Sequence, residues 1–212
     1  MSRSTYDFWL LDLDGTLIDV ESSYIHEVMT EVGTHLDVSF TSQEAEILWY
    51  GLGDTRDRFL LDIGIEPDRF WEVFHQVEDP LERAAATHLY PDAERFVPEI
   101  EQPIGLVTHC QDYLTSPVLK RMDIQDWFDT IVCCTDETGW KPDSGPVELA
   151  MQDLGVAYNG HEGAMVGDDA QDIGAAWNAG ITGIHVERFD PEKYGQCVLG
   201  DQRVTSLEDI EV

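Results

Sequence analysis

The chain has 212 residues, enough for one ordinary domain or for a core domain with a modest insertion. Asp and Glu total 43 against 12 Lys and Arg, and the resulting net charge of −31 is opposite in sign to a nucleic-acid-binding surface. Because hydrophobic residues make up 42% of the chain and aromatic residues 10%, this charge does not indicate a disordered protein.

Five short apolar runs predict buried strands, because each run is brief and ends at polar residues or glycine. In chain order they are Phe8–Leu13, Ile104–Thr108, Thr130–Cys134, Ala164–Gly167 and Ile181–Val186. Helical patterns alternate with the later runs, at about Gln111–Met122, Pro146–Leu154 and Ala170–Ala179. Strands that alternate with helices predict an α/β fold with a doubly wound parallel sheet covered on both faces.

The segment 19–88 interrupts this alternation, since it offers helical patterns and no convincing strand. The predicted helices are Tyr24–Leu36, Ser42–Tyr50, Thr55–Ile63, Asp68–Gln76 and Pro80–His88. We interpret 19–88 as an α-helical domain inserted after the first strand. Residues 1–18 and 89–212 are then expected to form the α/β core domain.

Two aspartates, Asp12 and Asp14, lie where the first predicted strand ends, in the sequence DLDGT of residues 12–16. On a continuing strand, carboxylates at alternate positions would face opposite sides. If the strand stops at Asp12, the loop can curl and bring both carboxylates to one site, and Gly15 permits that bend. Backbone amides of this loop could also bind a phosphate. Because charge at the end of a buried strand needs a partner, we favour a functional site over an ordinary turn.

Three more acidic residues follow the fourth predicted strand and precede a helix: Asp168, Asp169 and Asp172. Asp169 has a structural explanation as the N-cap of that helix, because Asp is a frequent capping residue. Asp168 and Asp172 lack such an explanation. Carboxylate oxygens at a strand end suit Mg²⁺, which takes one or two carboxylates and keeps several waters.

Two weaker signals complete the set of candidate residues. Thr108 ends the second predicted strand, where a structural threonine is as plausible as a functional one. Lys141 lies in the sequence GWKP of residues 139–142, and a lysine retained in so acidic a chain favours function.

The four segments occur in the order Asp-x-Asp-Gly-Thr, Thr, Lys-Pro, Gly-Asp-x-x-x-Asp. In this order the sequence resembles the haloacid dehalogenase superfamily over nearly its whole length, in the phosphatase branch with a helical cap inserted after the first strand. The resemblance implies strand order 3-2-1-4-5, which places strands one and four together at a topological switch point. Asp12, Asp14, Asp168 and Asp172 would then converge, and 19–88 would be the cap domain.

The resemblance also implies catalytic roles. Asp12 would attack phosphorus and become an aspartyl phosphate, while Asp14 would act as general acid and then general base. Mg²⁺ would be held by the carboxylates of Asp12 and Asp168 and by the backbone carbonyl of Asp14. Asp169 and Asp172 would lie next to these ligands without binding Mg²⁺ themselves.

Further residues are expected to bind the substrate. The resemblance implies that Thr108 donates a hydrogen bond to the phosphoryl group and that Lys141 neutralises its charge. Gly15 and Thr16, in the loop after the first strand, are expected to contact the same group. His109 is where relatives often have a small polar residue or Asn, and it would either touch the substrate or cap the next helix.

In the predicted cap, residues 53–56 (GDTR) are similar to a Gly-x-x-Arg loop of capped relatives, in which the arginine binds an anionic part of the substrate. Arg56 would then select a small phosphate ester with a second acidic group, because its planar fork suits a carboxylate or phosphate. The alternative is a surface ion pair of Arg56 with Asp54 or Asp57.

These observations favour a Mg²⁺-dependent phosphatase acting on a small phosphorylated metabolite. A sugar-phosphate mutase of the same superfamily stays open, since it would use the same two aspartates. A dehalogenase is disfavoured because that branch lacks the second aspartate. A receiver domain, or another non-catalytic phosphate binder, is the alternative from a different class. The position of Lys141 before the second acidic cluster argues against a receiver.

The remaining composition indicates the environment of the protein. Acidic residues are spread along the whole chain, which predicts a halophilic protein, because the Debye length falls to roughly 3 Å near 1 M salt and screens their repulsion. An acidic mimic of DNA is the alternative. Cys110, Cys133, Cys134 and Cys197 show no CxxC or zinc spacing, so reduced thiols are expected. We expect a cytoplasmic protein with no nucleic-acid or membrane partner, and a monomer, with a homodimer as the alternative.

Overall fold

A parallel β-sheet forms the centre of the larger of two compact units. The computed structural model describes residues 6–51, 53–157, 160–188 and 198–212. Its strands are β1 (Phe8–Leu11), β2 (Ile18–Val20), β3 (Thr87–Leu89), β4 (Ile104–Thr108), β5 (Thr130–Cys133), β6 (Gly163–Gly167), β7 (Thr182–Val186) and β8 (Gln202–Val204). The main sheet has the order β5-β4-β1-β6-β7-β8, and its neighbouring strands are parallel.

The sheet confirms the predicted fold class and the predicted strand order, since the five predicted strands occupy the expected positions. The sixth strand, β8, was not predicted. It has three residues, none of them fully buried, so it carries no apolar run that a sequence pattern could reveal. The first predicted strand also ends earlier than expected, at Leu11, and residues 12–17 form a loop.

The strands at the centre of the sheet are buried on both faces. All four residues of β1 are fully buried, and Leu10 lies opposite Gly105 on one side and Met165 on the other. A strand that loses contact with water on both faces needs a continuous apolar run rather than an alternating one. The sequence Phe8–Leu11 provides that run.

Four of the helices in the described residues belong to the core unit. They are α6 (Pro91–Phe96), α7 (Asp112–Met122), α8 (Gly145–Asp153) and α9 (Ala170–Asn178), with single 3₁₀ turns at Val97–Glu99, Gln125–Trp127 and Leu207–Asp209. Side chains of α8 and α9, such as Val147 and Ala175, share a buried apolar cluster with Leu10 and Val107 of the sheet. This packing fixes the helices that carry the polar residues at the strand ends.

The second compact unit, Val20–Thr87, is helical and has an apolar core of its own. Its helices are α1 (Ser22–Leu36), α2 (Ser42–Tyr50), α3 (Gly53–Asp62), α4 (Pro67–Val77) and α5 (Pro80–Ala86). The last of these helices ends at Ala86 and not at His88 as predicted, because Thr87 begins β3, which pairs with β2. Strands of three residues are too short for a period-two signal, so the prediction that 19–88 contains no strand was wrong at both ends.

The described residues also bear on the expected surroundings of the protein. None of the helices described is long and apolar enough to cross a membrane. The thiols of Cys133 and Cys134 are free, Cys110 is partly buried, and Cys197 lies outside the described residues.

Replacing Phe70 with Ala should destabilise the helical unit. Phe70 is fully buried and packs against the rings of Phe40, Trp71 and Phe74, so truncation leaves a cavity that costs about 3 kcal/mol. Denaturant unfolding in constant KCl measures the change. Leu81→Ala is the control, because Leu81 is 73% exposed and should have little effect. Equal destabilisation by the two variants would contradict the assignment of this core.

Candidate active site

The chain leaves β1 in a tight loop that begins beside the end of β6. The Asp12 N–H donates to the Val166 carbonyl oxygen at 3.0 Å, which holds Asp12 against that strand. Within the loop, the Gly15 N–H donates to Ile18 and the Thr16 N–H donates to Leu13. The amides of Gly15 and Thr16 were expected to contact the substrate, but these bonds direct them into the loop.

Two glycines allow carboxylates to approach the main chain at this edge of the sheet. Gly15 has φ +79°, and a Cβ there would lie 2.4 Å from Asp168 Oδ2. A Cβ at Gly167 would lie 2.3 Å from Asp172 Oδ2. Any other residue at either position would displace a carboxylate, so the two glycines are part of the site.

Lys141 joins two of the carboxylates from inside the protein. Its Nζ donates to Asp12 Oδ1 and to Asp172 Oδ1, both at 2.6 Å, and to the Val107 carbonyl oxygen at 3.1 Å. The Lys141 side chain is 2% exposed, so these bonds form away from water. An ammonium group has three hydrogens, and all three have acceptors here.

Asp172 is held on both of its oxygens. Oδ1 accepts from Lys141, and Oδ2 accepts from the Asp169 N–H at 3.1 Å. Asp169 in turn accepts from the Gln171 N–H, so the two aspartates form a capping box at the start of α9. This confirms the capping assignment of Asp169. It also leaves Asp172 better suited to orienting Lys141 than to binding an ion directly.

Asp168 is held from two directions. Its Oδ1 accepts from the Thr16 hydroxyl at 3.0 Å, and its carbonyl oxygen lies 3.0 Å from His185 Nε2. The hydroxyl of Thr16, a residue predicted to contact the substrate, supports the Asp168 carboxylate. Ligand oxygens of Asp12, Asp168 and Asp172 all lie within 4.8 Å of one another.

Burial makes this cluster electrostatically costly. It raises the pKa of Asp12 to about 7, although the Lys141 ammonium acts to lower it. Burial, together with the charges of Asp12 and Asp172, raises the pKa of Asp168 well above its usual range. Burial acts to lower the pKa of Lys141, but the two carboxylates outweigh it and raise that pKa. Three carboxylates facing one ammonium favour a further cation at this position.

The donor set fits Mg²⁺, because hard carboxylate oxygens converge where the cluster lacks positive charge. The carboxylates of Asp12 and Asp168 are the groups suited to hold it. Asp14, whose carbonyl was predicted as a further ligand, lies half-buried in the same loop and forms an isolated bridge with Ile18.

Thr108 lies at the end of β4 and is buried. Its hydroxyl oxygen accepts from the Cys110 N–H at 3.0 Å. Since a hydroxyl that accepts one bond still has a proton to give, Thr108 can donate to a ligand at this edge.

Two further residues predicted for the site, His109 and Arg56, each lie beside a tryptophan ring. The His109 ring packs against the Trp140 ring, with 5.7 Å between centroids. The N-cap of α7 is Gln111, so His109 is not the residue that caps that helix. Arg56 belongs to the helical unit, in the first turn of α3 rather than in a loop, and its guanidinium lies 5.0 Å from the Trp71 ring centroid.

The sequence did not reveal two residues, Arg188 and His185, that hold the segments carrying Thr16 and Asp168. Arg188 donates to the Thr16 carbonyl oxygen at 2.7 Å, and His185 contacts Asp168. His185 lies within β7 and Arg188 follows that strand by two positions, and neither has a motif around it. The retention of a basic residue in an acidic chain, which pointed to Lys141, is the one signal that could have found Arg188.

The fold and site define a class: a doubly wound α/β protein with a buried acidic centre where β1 and β6 meet. A sequence profile described as "Haloacid dehalogenase-like hydrolase" matches residues 9–186. The chain belongs to this family of hydrolases, as its motifs predicted.

Similar proteins have related descriptions. The chain is 27% identical over 190 residues to a phosphoglycolate phosphatase from Yersinia pestis, covering 80% of this chain and 75% of that protein. It is 28% identical over 182 residues to a pyrophosphatase PpaX from Bacillus pumilus, covering 85% of this chain and 82% of that protein. The crystal structure of a putative phosphoglycolate phosphatase from Lactobacillus plantarum has the same fold, with TM-score 0.79, 22% identity and coverage of 97% of this chain and 98% of the other.

In metal-free protein, Asp12→Asn should gain stability relative to wild type as the pH rises. The pKa of Asp12 is about 7 in the folded protein, against about 3.9 unfolded, so its stabilising contribution is complete below the unfolded value and is lost as the pH rises through the folded one. Between about pH 5 and pH 7, the difference in free energy of unfolding should shift by about 2 kcal/mol toward the Asn variant.

Denaturant unfolding of both proteins with a chelator present measures this shift. Asp126→Asn is the control, because Asp126 is exposed on a 3₁₀ turn. A stability difference for Asp12→Asn that stays constant with pH would contradict a raised pKa for Asp12.

Proposed function

We propose that this protein is a Mg²⁺-dependent phosphatase that hydrolyses a small phosphate monoester through an aspartyl phosphate on Asp12. The observation that carries the proposal is the buried contact of Lys141 Nζ with Asp12 and Asp172, each at 2.6 Å. A lysine buried between carboxylates supplies the cationic surroundings that a phosphate dianion needs before it can approach an anionic nucleophile.

The chemistry requires two proton transfers. The Asp12 carboxylate attacks phosphorus, the bond from phosphorus to the ester oxygen breaks, and Asp14 gives its proton to the leaving alkoxide. Asp14 then takes a proton from the water that attacks the aspartyl phosphate. Inorganic phosphate leaves, and the Asp12 carboxylate is restored.

Other residues bind and orient the phosphoryl group. Thr108 donates its hydroxyl proton to a phosphoryl oxygen, and Lys141 offsets negative charge from the protein side. Gly15 and Thr16 act by holding the loop and Asp168 in place, as their hydrogen bonds suggest. Mg²⁺, held by Asp12, Asp168 and the Asp14 carbonyl, would offset the charge that gathers on the phosphoryl oxygens.

We propose that the helical unit is a cap domain that selects small substrates with a second anionic group. Phosphoglycolate and pyrophosphate, which appear in the descriptions of the relatives, both carry such a group beside the phosphate that is cleaved. Arg56 is our candidate for its recognition, since stacking on Trp71 holds the planar guanidinium in one orientation. His109, beside Thr108, is a candidate contact for the leaving group. We also propose a cytoplasmic monomer, in the compartment that contains such metabolites.

The wild type should release inorganic phosphate from phosphate esters in the presence of Mg²⁺, and Asp12→Asn should lose at least about a thousandfold of kcat, because no aspartyl phosphate can form. The assay uses p-nitrophenyl phosphate, phosphoglycolate and pyrophosphate in high KCl, with and without Mg²⁺. The substrates with a second anionic group should have the higher kcat/KM, and Arg56→Gln should reduce that preference.

Asp126→Asn is the matched control and should keep wild-type activity, since it makes the same chemical change at an exposed position. Phosphoryl transfer between positions of a sugar phosphate, with no phosphate released, would favour a mutase. A folded wild type that releases phosphate from none of these compounds would exclude the phosphatase.

The acidic surface leads us to propose adaptation to high salt. With 43 acidic and 12 basic residues, repulsion among surface carboxylates should destabilise the fold at low ionic strength. The unfolding temperature should therefore rise as KCl increases from about 0.1 M to 2 M. Over this range the Debye length falls to a few ångströms, so the surface carboxylates repel one another less. Thermal unfolding monitored by circular dichroism tests this, and an unfolding temperature that is constant or falls over the range would contradict it.

A further inference from the structure

Arg188 joins three parts of the core unit just after β7. Its side chain is 7% exposed, its Nη1 donates to Asp92 Oδ2 at 2.8 Å, and its Nη2 donates to the Thr16 carbonyl oxygen at 2.7 Å. The guanidinium also lies 4.1 Å from the centroid of the Tyr90 ring. Two donors in a rigid plane that also stacks on an aromatic face form a contact that lysine cannot reproduce.

The acceptor on the far side of Arg188 is itself fixed. Asp92, in the first turn of α6, also accepts from the Leu207 N–H at 2.8 Å and from the Ser206 hydroxyl at 3.1 Å. Asp92 is 7% exposed, so these bonds are protected from water. Arg188 is therefore anchored on one side and holds the acidic loop on the other.

The loop residue that Arg188 holds is the one that contacts Asp168. The Thr16 carbonyl accepts from Arg188, and the Thr16 hydroxyl donates to Asp168 Oδ1 at 3.0 Å. Gly15, one position earlier, is the residue whose missing Cβ makes room for the Asp168 carboxylate. A displacement of the Thr16 main chain would therefore change the position of the Asp168 carboxylate opposite Asp12.

We propose that Arg188 is a positioning residue for Mg²⁺: by fixing Thr16, it sets the Asp168 carboxylate in the place where it can share a cation with Asp12. This inference rests on the proposed function, because it takes Asp168 as a ligand. Arg188 does not touch the reacting atoms. Its loss should therefore weaken Mg²⁺ binding more than it slows the reaction at saturating Mg²⁺.

The sign of the expected effect separates positioning from simple electrostatics. Removing a positive charge near a carboxylate cluster should, by Coulomb's law alone, strengthen the binding of a cation. Positioning predicts the opposite result, because a misplaced Asp168 is a poorer ligand. Residues that orient metal ligands typically change affinity by about 10- to 100-fold when they are replaced.

The test compares Arg188→Gln and Arg188→Lys with wild type. In constant KCl, the unfolding temperature is measured as a function of Mg²⁺, because a ligand that binds only the folded state raises it. The dissociation constant for Mg²⁺ fitted from that rise is called the Mg²⁺ midpoint here. We expect it to increase at least about tenfold in Arg188→Gln, and less in Arg188→Lys. The Mg²⁺ dependence of phosphate release should shift equally, while kcat at saturating Mg²⁺ changes by less than about threefold.

Arg203→Gln is the matched control. Arg203 lies on the neighbouring strand β8 and pairs with Glu187 at 2.8 Å, with 41% of its side chain exposed. The substitution removes the same charge without touching the loop, so the Mg²⁺ midpoint should stay the same or fall. If Arg188→Gln does not fold, Asp92→Asn weakens the anchor of Arg188 by removing its negative charge and should also raise the midpoint.

The outcomes keep this inference apart from the proposed function. A folded Arg188→Gln or Asp92→Asn variant with the wild-type Mg²⁺ midpoint would overturn the inference, even if the enzyme is active. A wild type that binds Mg²⁺ but releases no phosphate would remove the phosphatase and leave the inference intact, provided that the variants shift the midpoint. A wild type whose unfolding temperature does not respond to Mg²⁺ would overturn both the metal assignment and the inference.

Discussion

The Lys141 ammonium, buried between Asp12 and Asp172, is the interaction on which the rest of the site depends. Carboxylates this far from water repel one another with little screening, and burial raises the pKa of Asp12, an effect that the Lys141 ammonium opposes. Lys141 also donates to the Val107 carbonyl oxygen, so one side chain connects the ends of β1 and β4 with the first turn of α9. The position of the Asp12 carboxylate is thus tied to the sheet.

Close approach of carboxylates to the main chain is the second constraint. Asp168 lies against Gly15 and Asp172 lies against Gly167, at distances that leave no room for a Cβ. Both glycines stand in the motifs that carry the acids, which gives a physical reason for glycine at these places in the pattern. Asp172 has a second function, because it also belongs to the capping box of α9. It accepts from the Asp169 N–H with one oxygen and from Lys141 with the other.

The sequence predicted those parts of the molecule that depend on neighbouring residues. The strands β1, β4, β6 and β7 were predictable because burial requires apolar runs, and β5 was predicted from the same kind of run although it is only partly buried. Asp12 and Asp168 were noticed because charge at the end of such a run is unusual. The short strands β2, β3 and β8 carry no period. The roles of Thr16 and Arg188 depend on contacts between residues 172 positions apart, which no local pattern contains.

Several of the few basic residues in this acidic chain are buried. Carboxylates on the surface are hydrated, so they need few basic partners. In the interior, where water is excluded, a charged carboxylate needs a cation close to it. Lys141 and Arg83 are each 4% exposed, and the Arg188 side chain is 7% exposed. Lys141 and Arg188 each donate to a carboxylate and to a carbonyl oxygen, so these two buried cations mark places where such oxygens are held away from water.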